Sequence, residues 1–112
     1  MFSKKGKSKR GQWTKEQREY VSRCVEFGCV ACYLAYGIDG TPAQWHHAGY
    51  HGAAMRGPHE HGLPLCPYHH NVGPESVHLN PKAFSHLIKM SEAEAVSWCW
   101  NRFGWQDRAD QT

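Results

Sequence analysis

Two pairs of residues in this sequence have the spacing of metal ligands. They are Cys29-x2-Cys32 and Cys66-x2-His69, in a chain of 112 residues with nine histidines and five cysteines. Two ligands three positions apart on a turn can grip one ion, and a second such pair completes a tetrahedral zinc site. The sequence therefore predicts one structural Zn²⁺ ion bound by Cys29, Cys32, Cys66 and His69.

The cysteines leave other interpretations open. Cys29 and Cys32 could be core thiols, or a redox pair, although the βαβ context of a thioredoxin-like protein is missing. Cys24 and Cys99 fall at helical spacing among apolar residues, so we expect them to be buried as small hydrophobic side chains. An odd number of cysteines, five in all, argues against a disulfide framework.

Two pairs of adjacent histidines, His46-His47 and His69-His70, are the second chemical feature. Side chains of adjacent residues in a strand point to opposite faces, so His46 and His47 can serve different tasks. One can hold a metal ion while the other faces a substrate. His70 follows the predicted zinc ligand His69 where a helix starts, and His61 stands nine residues before His70.

Local signals predict an α+β arrangement that positions these residues. Capping boxes beginning at Thr14 and Ser91 predict a helix over 15–27 and a helix that ends at Gly104. The other predicted elements are a tight cysteine turn at 28–33, strands at 43–48 and 62–65 with a loose connection, a turn opening a short helix at 66–71, and a helix from Asn80 to about Met90.

The N-terminal stretch is basic although the formal net charge is only +3. Five of the thirteen basic residues lie within 4–10, which leaves eight against ten acidic residues elsewhere. Such an arm suits a phosphate backbone, and a solvated tail is the alternative. We predict a flexible arm over 1–12, a single zinc-stapled domain over 13–112, and nucleic-acid contacts from Lys4, Lys5, Lys7, Lys9 and Arg10.

The sequence contains no apolar run long enough for a transmembrane helix, and its N-terminus lacks the apolar segment of a signal peptide. We therefore expect a cytoplasmic protein without a membrane partner, in a compartment that keeps thiols reduced.

The order of these motifs resembles the HNH, or ββα-metal, endonucleases. That family places an acidic residue or His, then His, on a first strand, Asn or His on a second, and a metal-binding His on the following helix. Here His46-His47, His61 and His70 take those places. More narrowly, the run 29–84 is similar to the phage recombination-enhancing, RecA-dependent nucleases called Ref, through C-x2-C, HH, LPLC-x2-HH, and VH followed by a helix with Phe84.

The resemblance implies a metal-dependent DNA endonuclease with a small ββα-metal core, a zinc knuckle and flanking helices. His47 would be the general base that activates water. His46 and His70 would hold a catalytic divalent cation, which could be Mg²⁺, Mn²⁺, Ni²⁺ or Zn²⁺. His61 would orient His47.

The sequence departs from the family pattern in two places. His61 stands where Asn is usual, and His59 is close enough to compete for its role. Many members carry another His or Asn four positions after the helix histidine, but Pro74 stands there. Either the ion has only two protein ligands plus water, or His78 supplies a third. For His78, a surface histidine that caps a helix is the alternative.

The resemblance also implies DNA, single- or double-stranded, as substrate. A RecA-type recombinase filament is the candidate partner, and the origin is a phage or prophage in a bacterial cell. Two other functions stay open: a non-catalytic, zinc-stabilised nucleic-acid-binding module, and a metal storage or sensor protein that uses the histidines directly.

The other histidines and two of the tryptophans are expected to do no metal chemistry. We expect His51 and His59 to be surface or hairpin histidines, and His86 to have a packing or solvent position. Trp13 and Trp45 are expected to pack in the protein, with stacking on an unpaired base as the alternative.

Overall fold

The computed structural model describes residues 12–48 and 58–106. The basic residues of the predicted arm, Lys4, Lys5, Lys7, Lys9 and Arg10, lie outside the described residues, as do His51 and the rest of 49–57 in the connection between the strands. The described ranges form α1 (Lys15–Phe27), α2 (Val30–Tyr36), β1 (Gln44–His47), β2 (Gly62–Leu65), a π-helical turn (Tyr68–Val72), α3 (Pro81–Ile88) and α4 (Glu92–Phe103). The predicted α+β fold is confirmed, while the division into an arm and a domain stays a prediction.

Side-chain caps fix the starts of the helices where the sequence places them. The Thr14 hydroxyl accepts a hydrogen bond from Gln17 N, and the Gln17 side chain accepts one from Thr14 N. Ser91 and Glu94 form the same reciprocal pair of hydrogen bonds at the start of α4. These caps satisfy backbone donors that an α-helix leaves without partners, so both predicted capping boxes are confirmed.

The cysteine turn predicted at 28–33 is wrong, because a helix begins inside it. Cys29 is the N-cap of α2, and its Sγ accepts a hydrogen bond from Cys32 N at 3.5 Å. Gly28 makes the sharp entry at φ 109°, and a Cβ there would lie 2.8 Å from the Thr41 carbonyl oxygen. A first helical turn brings positions three apart to one side, so the two thiols still converge.

The strands pair antiparallel, with Gln44 opposite Leu65 and His47 opposite Gly62. β1 is one residue shorter at each end than predicted, and β2 has the predicted bounds. Because side chains alternate along a strand, His47 shares a face with Trp45, and His46 points to the other face. The Trp45 ring meets Tyr20 of α1 edge-on, with 6.2 Å between centroids.

The main core lies on the His46 face of the sheet, where α2, α3 and α4 contribute buried side chains. Leu63, Leu65 and Phe84 are fully buried there. Cys24 and Cys99 are also fully buried, as expected of small hydrophobic residues. Burial raises the pKa of Cys24 to about 12, so this thiol is protonated and unreactive at neutral pH.

None of the helices in the described ranges combines the length and the apolar character that spanning a membrane would require.

Candidate functional site

The four predicted zinc ligands converge in the structure. His69 Nδ1 lies 3.7 Å from Cys29 Sγ, 3.6 Å from Cys32 Sγ and 3.3 Å from Cys66 Sγ. One donor atom from each of the four residues lies within 4.8 Å of the others, and all four residues are buried. This group, Cys29, Cys32, Cys66 and His69, is called the knuckle cluster below.

The geometry of the knuckle cluster fits a tetrahedral zinc ion. Bond lengths of about 2.3 Å to sulfur and about 2.0–2.1 Å to nitrogen, at the tetrahedral angle, put ligand S and N atoms about 3.6 Å apart. The observed S–N distances lie within 0.3 Å of that value. Burial raises the pKa of the Cys29 thiol to about 12, so a thiolate at this position needs a cation beside it.

A second group of donors is formed by His46, His70 and His78, called the histidine cluster below. One ring nitrogen from each lies within 4.8 Å of the other two. His70 Nε2 lies 3.2 Å from His78 Nε2, and the three ring centroids are 4.8–5.2 Å apart. His78 therefore lies where a third metal ligand would be needed.

The histidine cluster can hold a transition metal ion. Burial, together with the neighbouring His46 and His78, lowers the pKa of His70, which favours the neutral imidazole that binds metals. Three imidazoles suit Zn²⁺ or Ni²⁺, whereas Mg²⁺ prefers oxygen ligands. Among the four ions that the sequence left open, this donor set favours Ni²⁺ and Zn²⁺.

The π-helical turn links the two clusters, because His69 and His70 are consecutive on it. Val77 N donates to the His69 carbonyl at 2.9 Å, and His78 N donates to the His70 carbonyl at 3.2 Å. These bonds hold the segment after the turn against it and bring the His78 ring beside His70. On the other side, His70 Nδ1 lies 2.8 Å from the Gln44 side-chain oxygen.

The His47 ring forms a pair with His59. His47 Nε2 lies 2.9 Å from His59 Nδ1. Trp13 stacks on the His59 ring at 3.9 Å with an angle of 9° between the planes. His59 is only 8% exposed, so a surface position is wrong for it, whereas its place between the two paired strands agrees with a hairpin histidine.

Two indole N–H groups hold the backbone that carries His59. Trp45 Nε1 donates to the His59 carbonyl, and Trp100 Nε1 donates to the Glu60 carbonyl, each at 2.9 Å. The Trp45 N–H is thus bonded within the protein, and the Trp13 ring stacks on His59, which is consistent with the expected packing.

His61 occupies a different place from the one that the sequence assigned to it. Ala48 N donates to the His61 carbonyl at 2.8 Å, which extends the strand ladder by one pair. Side-chain alternation then puts His61 on the His46 face, away from His47. Its ring accordingly packs against Trp100 of α4, with 5.0 Å between centroids. A ring whose nitrogen lies within hydrogen-bond distance of His47 Nε2 is that of His59, the competing candidate.

Two residues that contact the histidine cluster, Gln44 and Glu92, were not predicted from the sequence. Glu92, in the first turn of α4, places Oε2 at 2.6 Å from His46 Nε2. The Ser91 capping box located the start of this helix, but no local pattern shows that its first turn faces β1. His86 is exposed on α3, in agreement with the expected solvent position.

Fold and site together define a small α+β protein with a zinc-knuckle ligand set and a second group, of three histidines, that could hold a metal ion. The sequence matches, over residues 13–110, the family described as recombination enhancement, RecA-dependent nuclease. The match covers most of the chain, so the protein belongs to this nuclease family, as the motif resemblance predicted. A search of curated proteins found no match.

Proposed function

We propose that this protein is a metal-dependent DNA endonuclease of the HNH type that hydrolyses phosphodiester bonds with His47 as general base. One observation carries the proposal: two consecutive residues of β1 belong to two different groups of histidines. His46 is part of the histidine cluster, and His47 forms a hydrogen-bonded pair with His59. Hydrolysis of a phosphodiester needs charge stabilisation and a base close together, and adjacent residues of one strand bring the two functions close.

The proposed base role follows from the chemistry of the His47–His59 pair. A neutral imidazole has one N–H, so one ring donates and the other accepts. When His47 donates from Nε2 to His59 Nδ1, its own Nδ1 carries the lone pair that takes a proton from water. The same hydrogen bond then stabilises the His47 imidazolium. His59 thus orients the base, the role that the sequence assigned to His61.

The histidine cluster, His46, His70 and His78, would hold the catalytic cation. When bound, a divalent ion supplies stabilisation of the negative charge that develops on the phosphate and the leaving oxygen. The three rings keep their nitrogens converging on one point, and the Gln44 side chain and the His78 backbone bond fix the orientation of His70.

The knuckle cluster would hold a structural zinc ion. Its four ligands are buried and come from the N-cap and first turn of α2, the residue that follows β2, and the π-helical turn. An ion there ties these elements together in a protein whose sheet has only two strands in the described ranges. Structural zinc sites commonly contribute folding energy in domains this small.

The proposed substrate is DNA, approached with the help of the basic residues at 4–10, and the proposed partner is a recombinase filament of the RecA type. The family description, recombination enhancement and RecA dependence, supports this partner. It also supports a role in recombination. We further propose that the protein is encoded by a phage or prophage.

A nicking assay on plasmid and single-stranded DNA tests the proposal. Wild type and His47→Ala are compared in EDTA and after addition of Mg²⁺, Mn²⁺, Ni²⁺ or Zn²⁺. We expect cleavage that needs the ion and falls about 10²–10⁴-fold in His47→Ala, the range of general-base catalysis. His86→Ala is the matched control, because His86 is an exposed histidine on α3.

The partner is tested in the same reaction. If wild type cuts only when a RecA-coated strand is added, both the nuclease and the partner are supported. If no ion and no filament yields cleavage, the proposal fails, and the zinc-stabilised binding module becomes the better description. Equal cleavage by wild type and His47→Ala would overturn the base assignment.

A further inference from the structure

A carboxylate lies directly behind one ring of the histidine cluster. Glu92 Oε2 is 2.6 Å from His46 Nε2, and both side chains are largely removed from solvent, at 4% exposure for His46 and 18% for Glu92. At this separation the carboxylate oxygen accepts a charge-assisted hydrogen bond from the ring N–H. The contact spans 46 residues of sequence, so tertiary packing alone brings the two groups together.

The contact determines which nitrogen His46 can offer to an ion. An imidazole has two ring nitrogens, and the one that donates to a carboxylate cannot bind a metal at the same time. With Nε2 bonded to Glu92, Nδ1 is the remaining donor atom of His46. Within the described ranges, the donor group that converges here comprises the three imidazoles and does not include Glu92.

We infer that Glu92 is a positioning residue for the metal site, holding the His46 ring and its tautomer so that Nδ1 faces His70 and His78. The inference deepens the proposed function and rests on it for the role of this cluster. A carboxylate bonded to a metal-binding histidine orients the ring and makes the ligating nitrogen more basic. The place of Glu92 also suits a negative charge, because the N-terminus of α4 carries partial positive charge.

The chain offers a closely matched control in the same helical turn. Glu94 is exposed, and its side chain accepts the capping-box bond from Ser91 N at 2.8 Å. Glu94→Gln removes the same charge near the same helix end, while an amide oxygen can still serve in the capping box. A difference between Glu92→Gln and Glu94→Gln therefore reports the contacts of the Glu92 side chain rather than the loss of a charge at this helix end.

The test is a Co²⁺ titration of protein that already carries one equivalent of zinc, followed by visible absorption and calorimetry. We expect Glu92→Ala to weaken Co²⁺ binding about 10–100-fold, the usual effect of losing the partner of a metal-binding histidine. Glu92→Gln, which keeps an acceptor oxygen, should lose less, and Glu94→Gln should bind as wild type does. At saturation, the absorption spectra of all four proteins should coincide, because the ligands are unchanged.

Two results would overturn the inference. Co²⁺ affinity in Glu92→Ala within twofold of wild type would show that the contact does not support the site. A saturated spectrum that changes only in the Glu92 variants would make Glu92 a ligand instead. Circular dichroism of the zinc-loaded variants checks that each is folded. Because Co²⁺ binding is measured without DNA, the two tests are independent. If the protein did not cleave DNA, the proposed function would be wrong, but the effect of Glu92 on Co²⁺ binding would still be measured.

Discussion

His46 and His47 are neighbours in the chain, but their rings meet partners on opposite faces of β1. The His46 ring lies 5.2 Å from the His70 ring, and His47 Nε2 lies 2.9 Å from His59 Nδ1. The twofold pleat of a strand produces this separation without any special backbone geometry. A shift of the strand register by one residue would exchange the two environments, so register and chemistry are linked here.

The His47–His59 pair predicts that His59 matters more for cleavage than His61. We expect His59→Ala to lower the single-turnover rate about 10–100-fold at saturating metal, because His47 loses the group that orients it. His59→Asn should recover part of the rate, since an amide oxygen can accept the bond from His47 Nε2.

His61→Ala is the comparison for this prediction, because it removes a ring that packs on Trp100. We expect its cleavage rate to stay closer to wild type. The prediction is wrong if His61→Ala loses more rate than His59→Ala, or if the loss in His59→Ala follows weaker metal binding in a parallel titration.

The local features of this protein could be predicted from sequence because they depend on residues close together in the chain. The capping box at Thr14 gave the correct start of α1. Cys29 and Cys32 were correctly predicted to converge, although a helix begins where a turn was predicted. A helix turn and a reverse turn both bring positions three apart together, so the ligand set did not depend on which one forms.

The features that were missed depend on packing between distant segments. His59 and His61 differ by two positions, and the choice between them depends on where the strand ladder ends and the chain bends. Glu92 reaches His46 only because α4 packs against the sheet. No periodicity or cap signal encodes either relationship, so sequence reasoning could offer His59 as a competitor but could not find Glu92.

The knuckle cluster predicts that one zinc ion is bound tightly and is needed for the fold. We expect Cys29→Ala to lose this ion and its cooperative thermal unfolding, since structural zinc in small finger peptides contributes about 10–16 kcal/mol. Cys24→Ala, a change at a buried thiol outside the cluster, should keep the ion. Elemental analysis and thermal unfolding with and without a chelator measure both. Retained zinc in Cys29→Ala would contradict the ligand assignment.

The link through the π-helical turn predicts a one-sided dependence between the two clusters. We expect Cys66→Ala to abolish metal binding at both, because His70 loses its support when the turn that carries His69 is released. His78→Ala should weaken Co²⁺ binding at the histidine cluster and leave the zinc content of the knuckle cluster unchanged. The number of Zn²⁺ and Co²⁺ ions bound per chain, measured for Cys66→Ala and His78→Ala, tests this dependence. Full Co²⁺ binding by the histidine cluster in Cys66→Ala would show that the clusters are independent.

The close approach of the two strands predicts that Gly62→Ala is destabilising. A Cβ at Gly62 would collide with the His46 carbonyl oxygen and lie 2.7 Å from the Trp45 ring, and the backbone oxygen cannot move without disturbing the ladder. We expect the free energy of unfolding to fall by about 1–3 kcal/mol, as in other overpacked sites. Gly73→Ala is the matched control, because the atoms it would meet belong to the half-exposed ring of Tyr68, which can swing aside. Denaturant unfolding of the zinc-loaded proteins compares them, and an equal or smaller loss at Gly62 would contradict the argument.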